Sequence, residues 1–390
     1  MPVSTAADPH PLLRRLREQS PAYCRGPSSG PAFWYLTRYA DVRRVLCDPD
    51  IGRQLDRLPA CLAGRHYQPD DPLAGLRRNV FNLDPPDHTR LRCLLAPAFS
   101  RRAAAADGHV REVVDELLGD LATTGGTADL IAALALPLQI RVVARVAGLP
   151  PGDEARLRAW SKAIVDASDP ERGHRAGLEL AAYVGEIADG WDRRAPVSLL
   201  SRLVQAEQSG LISRAELVAS VIQVLLGGDE TTVNLVGNAI FELLRHPDQL
   251  ARLRARPELV GSAVEEAVRF NGPVGHSRPL YALADVTIDG TVIPRGDVVV
   301  PVLLAANRDP AVFPDPDLFD ISRSPNPHLG FGYGIHFCLG AALARLQATE
   351  AIGSLVRRFP RLALAVAPDE IEWTPGLAVH GVRRLPVLLS

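Results

Sequence analysis

"FGYGIHFCLG", residues 331–340, sets one cysteine, Cys338, behind a glycine-punctuated turn and a histidine. A lone thiol in such a place is a nucleophile, half of a zinc site, a haem ligand or an ordinary buried thiol, and the last is the commonest. The residues that follow, LGAALARLQATEAIGSLVRRF, carry apolar side chains at helical spacing up to Pro360. Cys338 therefore stands at a helix N-terminus, where free N–H groups and the helix dipole favour a thiolate. Gly332, Gly334 and Gly340 let the backbone turn tightly and approach a flat object closely. A thiol nucleophile would want His336 as its base, but side chains two residues apart in such a loop need not face each other, and no oxyanion device is evident. Zinc needs three or four ligands, and Cys338 with His336 offers two at poor spacing. Axial ligation of haem iron needs one cysteine, with cations elsewhere for the propionates. That reading asks least of these ten residues, and the rest of the chain must supply the cations.

The chain has 390 residues, enough for a large core, with 47% apolar and 23% charged residues as in ordinary globular proteins. A net charge of −2 gives no bulk attraction to nucleic acid or anionic lipid. Lys162 is the only lysine, so individual arginines carry less functional weight. Five widely spaced cysteines, Cys24, Cys47, Cys61, Cys93 and Cys338, form no C-x-x-C pair and fit a reducing compartment. The first residues lack an apolar signal core, and no run of about 18 uncharged apolar residues occurs. The expectation is a soluble, cytoplasmic protein.

Helical patterns dominate, without repeats, and residues 1–390 read as a single domain. "FWYLTRYADVRRVLCDP" reads as a strand and then a helix, and residues 51–80 as a long loop. The clearest helix begins at Ser213, whose S-x-x-E capping box with Glu216 opens an apolar run that lasts until Pro247. That is roughly 33 residues, or about 50 Å. Beyond about residue 284, alternating β-branched residues around a D-G turn predict a hairpin and further short strands. The fold class is mainly α with small β-sheets, lacking the βα alternation of a doubly wound sheet.

Three further groupings bear on chemistry. GGDETT, residues 227–232, sits midway along the long helix, with Gly227 and Gly228 on the face of Thr231 and an acid, Glu230, beside that hydroxyl. Two helix-interior glycines cost roughly 1 kcal/mol each, so they make room either for close helix packing or for a small ligand. Glu266 and Arg269 form an E-x-x-R pair at helical spacing, which alone is an ordinary ion pair. In "DPPDHTRLR", His88 and Arg92 lie at i,i+4, a solvated basic face or a cation pair for two carboxylates.

Taken together and in this order, with "AANRDPAVFPDPDLFD" and the F-x-x-G-x-x-x-C-x-G pattern of Phe331, Gly334, Cys338 and Gly340, the chain resembles the cytochromes P450 of the soluble bacterial, actinobacterial-like class. The resemblance covers essentially the whole chain. It implies the P450 fold, a long central helix over a buried haem b, with Cys338 as proximal thiolate and Phe331 and Gly340 beside it. His88, Arg92 and His336 would hold the propionates. Glu230 and Thr231 would relay protons to dioxygen bound near Gly227 and Gly228, and Glu266–Arg269 would serve folding. Three departures stand out. Arg278 is the nearest candidate for a propionate arginine usual after E-x-x-R, where alignment through "YALADV" puts Leu280. Leu318 replaces a frequent basic residue, leaving Arg323 as a network partner. Asp229 is an unusual second acid before Glu230.

The implied reaction is a haem-thiolate monooxygenation of a hydrophobic small molecule in secondary metabolism, by a monomer fed by ferredoxin and ferredoxin reductase near Arg101 and Arg345. Substrate would be lined by the 51–80 loop, Val224, residues after Pro273 and the turn at Leu377. The alternatives are a P450-type oxidase that couples or cyclises without oxygen insertion, and a non-catalytic haem-binding protein.

Overall fold

The computed structural model describes residues 8–19, 22–25, 31–54, 57, 76, 78–100, 108–165, 168–192 and 198–389. Arg101 and most of the 51–80 loop lie outside the described residues. The helices in chain order are α1 His10–Gln19, α2 Tyr39–Val45, α3 Asp87–Leu95, α4 His109–Thr124, α5 Leu136–Ala147, α6 Glu154–Val165 and α7 Pro170–Asp189. They continue as α8 Leu199–Gln208, α9 Arg214–Arg245, α10 Pro247–Ala255, α11 Val260–Asn271, α12 Leu303–Ala306 and α13 Ala341–Arg358. The strands are β1 Ala22–Arg25, β2 Phe33–Leu36, β3 Ile51–Gly52, β4 Gly126–Asp129 and β5 Leu280–Ala282. They are followed by β6 Val286–Ile288, β7 Thr291–Ile293, β8 Val298–Pro301, β9 Ala363–Leu364 and β10 Pro386–Leu389. Mainly α with small sheets is therefore the observed class.

The expected capping box is formed at the start of α9. Ser213 N–H donates to Glu216 Oε2 at 2.9 Å, and Glu216 N–H donates to Ser213 Oγ at 3.2 Å. The helix runs 32 residues, about 48 Å, until His246 and Pro247, whose ring suits the first turn of α10. The hairpin β6–β7 turns on Asp289 and Gly290, both at positive φ (45° and 76°), the backbone that an Asp-Gly turn supplies.

The chain divides into two compact units. One comprises residues 1–52, 110–137 and 231–390, and holds the three sheets found among the described residues. Its five-stranded sheet runs β1-β2-β8-β5-β3, with β2 parallel to β8 and the other pairs antiparallel. Side chains of this sheet and of α2 share a core that includes Leu36, Val42, Leu280, Val299 and Phe313. The C-terminal half of α9 is buried from residue 232 to 243, so its polar side chains must find partners inside. Asn238 does so by donating to the carbonyls of Asn271 (2.9 Å) and His380 (3.0 Å), and Glu242 by accepting from Asn271 at 2.7 Å.

The other unit comprises residues 53–109 and 138–230. Its α6 and α7 interlock closely. Trp160 and Tyr183 pack with ring centroids 5.3 Å apart, and Arg156 caps both rings at 4.4 and 5.2 Å. Tyr183 donates to Asp153 at 2.6 Å and Trp160 to Glu179 at 2.8 Å, so each buried aromatic keeps a partner for its polar end. Arg90 of α3 bridges to Glu216 of α9 at 2.6 Å.

Candidate active site

The cysteine loop is shaped by two left-handed glycines, Gly332 (φ 74°) and Gly334 (φ 73°). At Gly334 glycine is also required by space, because an added Cβ would lie 2.7 Å from Cys47 Sγ and 2.7 Å from the Leu46 carbonyl oxygen. A 3-10 turn over Gly334–His336 closes with Phe337 N–H on the Gly334 carbonyl, and Cys338 N–H reaches back to the Phe331 carbonyl at 2.8 Å. Gly340 then caps α13, leaving Cys338 half-buried just ahead of the helix, as the periodicity implies. A Cβ at Gly340 would meet nothing within 4 Å, so a flat group has room against this backbone.

Behind the loop, Arg345 Cζ lies 4.3 Å from the Phe331 ring and its guanidinium clamps Glu265 at 2.7 and 2.8 Å. His328 Nε2 lies 3.1 Å from the same carboxylate. Burial alone would raise the Glu265 pKa, but the hydrogen bonds from Arg345 and His328 outweigh it and pull it down to about 2. Arg345, expected near the docking surface for the electron donor, forms a partly exposed clamp with Glu265 behind the loop. Exposed on the loop itself are Tyr333, Ile335 and Phe337 (36%, 50% and 38%).

The E-x-x-R pair is fully buried, with Arg269 donating to both Glu266 oxygens at 2.7 Å. Arg269 also donates to the carbonyls of Asn307, Pro316 and Leu318. Arg323 joins at 3.2 Å from Glu266 and Asn326 at 3.2 Å. Arg323 therefore is the network partner anticipated where Leu318 lacks a charge, and Leu318 contributes its carbonyl instead. With all five Arg269 N–H groups donating and both Glu266 oxygens accepting, this network fixes the segment between α12 and the cysteine loop.

Along α9 the central turn, residues 226–231, stays accessible although residues 217–222 and 232–243 are buried on either side. A Cβ on Gly228 would press on Gln139 Nε2 at 2.9 Å, next to Val143, so this glycine lets α9 pack close to α5. Gly227 looks onto Phe81 and Gln223, each 3.3 Å from an added Cβ. Glu230 is exposed, and desolvation and then the charge of Asp229 raise its pKa. Asp229 points elsewhere, accepting from Ser161 of α6 at 2.6 Å. Its carboxyl is also raised by burial, against the hydrogen bond from Ser161 and the charge of Arg158.

On α3, His88 is buried, and desolvation followed by the charges of Arg92 and Arg53 pushes its pKa down to about 4. Arg92 thus shares the face of His88, as i,i+4 spacing requires. Arg53 was not foreseen. Its backbone N–H, with that of Gln54, donates to Asp84, the carboxylate that turns the chain into α3. Leu280 is a buried β5 residue opposite Val299. Arg278 is solvent-accessible, yet its guanidinium pKa is lowered by desolvation, as for a side chain in a recess, and it makes no side-chain hydrogen bond among the described residues. Val224 is buried on α9. Leu377, expected to line substrate, is buried in a cluster with Leu13, Val302, Leu304 and Ala305, next to Gly275.

Among the described residues no three His, Cys, Asp or Glu side chains cluster as metal ligands, so zinc on Cys338 and His336 finds no further donors. The donor chemistry of the unit that holds Cys338 fits haem: one half-buried thiol at a helix head, a backbone open at Gly340, and a desolvated arginine. No helix among the described residues is long and apolar enough to cross a membrane.

Comparison with known proteins agrees. The cytochrome P450 family model matches residues 179–381. The chain is 41% identical over 386 residues to the cytochrome P450 monooxygenase PikC of Streptomyces venezuelae, covering 98% of this chain and 91% of that one. It is 36% identical over 381 residues to the mycinamicin IV hydroxylase/epoxidase of Micromonospora griseorubida, covering 96% and 94%. The structure of the tirandamycin C-bound P450 monooxygenase TamI superposes with a TM-score of 0.89 at 35% identity, over 98% of each chain. The chain accordingly belongs to the cytochrome P450 family of haem-thiolate monooxygenases.

Proposed function

We propose that Cys338 is the axial thiolate of a haem b, and that the enzyme inserts one oxygen atom of O2 into a C–H or C=C bond of a bulky hydrophobic molecule of secondary metabolism. The observation that carries this reading is the cysteine loop, a single thiol set at the head of α13 by two left-handed glycines and backed by the Phe331–Arg345–Glu265 clamp. The names of the relatives, a hydroxylase/epoxidase among them, support the reaction type. When bound, the haem supplies reductive activation of O2, with two electrons and two protons giving one oxygen to substrate and one to water.

The side chains do the rest. His88 and Arg92, with Arg53, and His336 and Arg278 hold the propionates by charge-assisted hydrogen bonds. Glu230, whose carboxyl keeps its proton to higher pH than a free glutamate, delivers protons through Thr231 Oγ1. Gly227 leaves room beside that hydroxyl, and Val224 lies on the substrate side. Tyr333, Ile335 and Phe337 offer an apolar face on which a ferredoxin docks. The whole chain works as one catalytic domain and as a monomer.

Cys338→Ser is expected to abolish the red-shifted Soret band of the reduced CO complex, and a normal band would overturn the ligand assignment. Thr231→Ala should divert electrons to peroxide, and unchanged coupling would remove Thr231 from the relay. Product made under 18O2 should carry the label; unlabelled product would assign the enzyme to coupling or cyclisation.

A further inference from the structure

Asp229 and Glu230 are sequence neighbours with separate roles. On a helix, adjacent side chains point about 100° apart, so only one of them can face the Thr231 side fully. Asp229 faces α6, where Ser161 Oγ–H donates to its Oδ2 at 2.6 Å and Arg158, one turn earlier, adds its charge. Ser161 is itself buried, so this hydrogen bond is shielded from competing water.

The contact gains weight from what α6 belongs to. Through Trp160, Tyr183, Arg156, Asp153 and Glu179, α6 and α7 behave as one packed pair. Gly173 of α7 sits so close to the Ala163 carbonyl that an added Cβ would lie 3.0 Å from it. This pair is tied to α9 at a second place, where Arg214 Nη2 donates to the Gly185 carbonyl at 2.7 Å and to Asp189. The two attachment points lie fifteen residues apart on α9, roughly 22 Å. Arg214 anchors the pair at the start of α9, and Ser161–Asp229 anchors it at the accessible turn.

We propose that Asp229 is a positioning residue whose hydrogen bond from Ser161 latches the α6–α7 pair onto the α9 turn that carries Glu230 and Thr231, so that this contact governs the orderly delivery of protons there. The role rests on the proposed assignment of Glu230 and Thr231 as the proton relay. It differs from that assignment in being mechanical: the latch needs an acceptor at position 229, not a proton donor. The amide oxygen of asparagine meets that need and a methyl group does not.

The test uses haem-loaded enzyme and three variants, Ser161→Ala, Asp229→Ala and Asp229→Asn, with two readouts. Amide hydrogen exchange across α6 reports the latch without any turnover. Peroxide formed per electron supplied reports the relay. Loss of one shielded hydrogen bond should speed exchange along α6 on the order of tenfold in both alanine variants, and leave Asp229→Asn near wild type. Peroxide should rise in the same two variants, including Ser161→Ala, which removes no titratable group. Unchanged α6 exchange in Ser161→Ala would overturn the latch. Asp229→Asn as impaired as Asp229→Ala would overturn it in favour of a direct role for the carboxylate. Faster exchange with unaltered peroxide would overturn the link from latch to relay, whereas failure of the haem-thiolate reading itself would show separately, in the CO spectrum of Cys338→Ser.

Discussion

Replacing Gly334 with alanine separates two constraints on the cysteine loop, and Gly332 provides the internal control. Both residues hold nearly the same left-handed backbone, φ 73° and 74°. An L side chain there costs roughly 1–2 kcal/mol. At Gly332 the new methyl group finds nothing nearer than the His336 carbonyl oxygen at 3.8 Å, an ordinary contact. At Gly334 it meets Cys47 Sγ and the Leu46 carbonyl oxygen, each at 2.7 Å. Leu46 closes α2, so its carbonyl belongs to backbone that cannot swing aside as a long side chain would. Overpacking of this kind typically costs about 1–3 kcal/mol more. Gly332→Ala should therefore lose about 1–2 kcal/mol and Gly334→Ala about 2–5 kcal/mol. The assay is urea titration of the reduced CO complex, following the red-shifted Soret band, because that band reports thiolate ligation and hence the loop. Equal midpoints for the two variants, or a milder effect at Gly334, would refute the steric half of the reasoning.

Arg269→Met leaves Glu266 buried with its principal partner gone and should cost about 3–5 kcal/mol, read as a lower unfolding temperature, while the folded fraction keeps its CO band. Glu265 is held at a pKa of about 2 against an ordinary 4.5, a contribution of roughly 3 kcal/mol. Because the folded value is depressed, this stability is complete above pH about 4.5 and is lost as pH falls towards 2; Glu265→Gln should flatten that acid limb in a pH series of urea midpoints. Leu377→Ala should destabilise by about 2–5 kcal/mol as a core truncation, with substrate-induced spin-state changes unaltered. Altered substrate spectra at unchanged stability would return Leu377 to the substrate pocket.

The features legible in advance are those whose physics is local. Ser213 and Glu216 cap one helix across three residues, Asp289 and Gly290 turn a hairpin, and Gly332 and Gly334 bend a loop. His88 and Arg92, and Glu266 and Arg269, meet because helical spacing puts them on one face. What escaped the sequence joins distant segments. Arg345 reaches Glu265 across 80 positions, and Ser161 reaches Asp229 across 68. A lone arginine and one that clamps a distant carboxylate look identical in one dimension, which is why the Arg345–Glu265 pair was not foreseen.

Sequence determined the class of chemistry through the family pattern its motifs make together, since a thiol before a helix or an acid beside a hydroxyl has several meanings on its own. Tertiary structure alone decided how neighbouring residues divide their labour. Gly227 and Gly228 share a helix turn, yet the first looks onto Phe81 and the second is pressed against Gln139. Asp229 and Glu230 share a charge, yet one is held by Ser161 and the other is left exposed. Adjacent helical side chains diverge by about 100°, so their fates depend on which helix happens to pack on each side. That is set by the burial of whole faces and not by the two residues themselves.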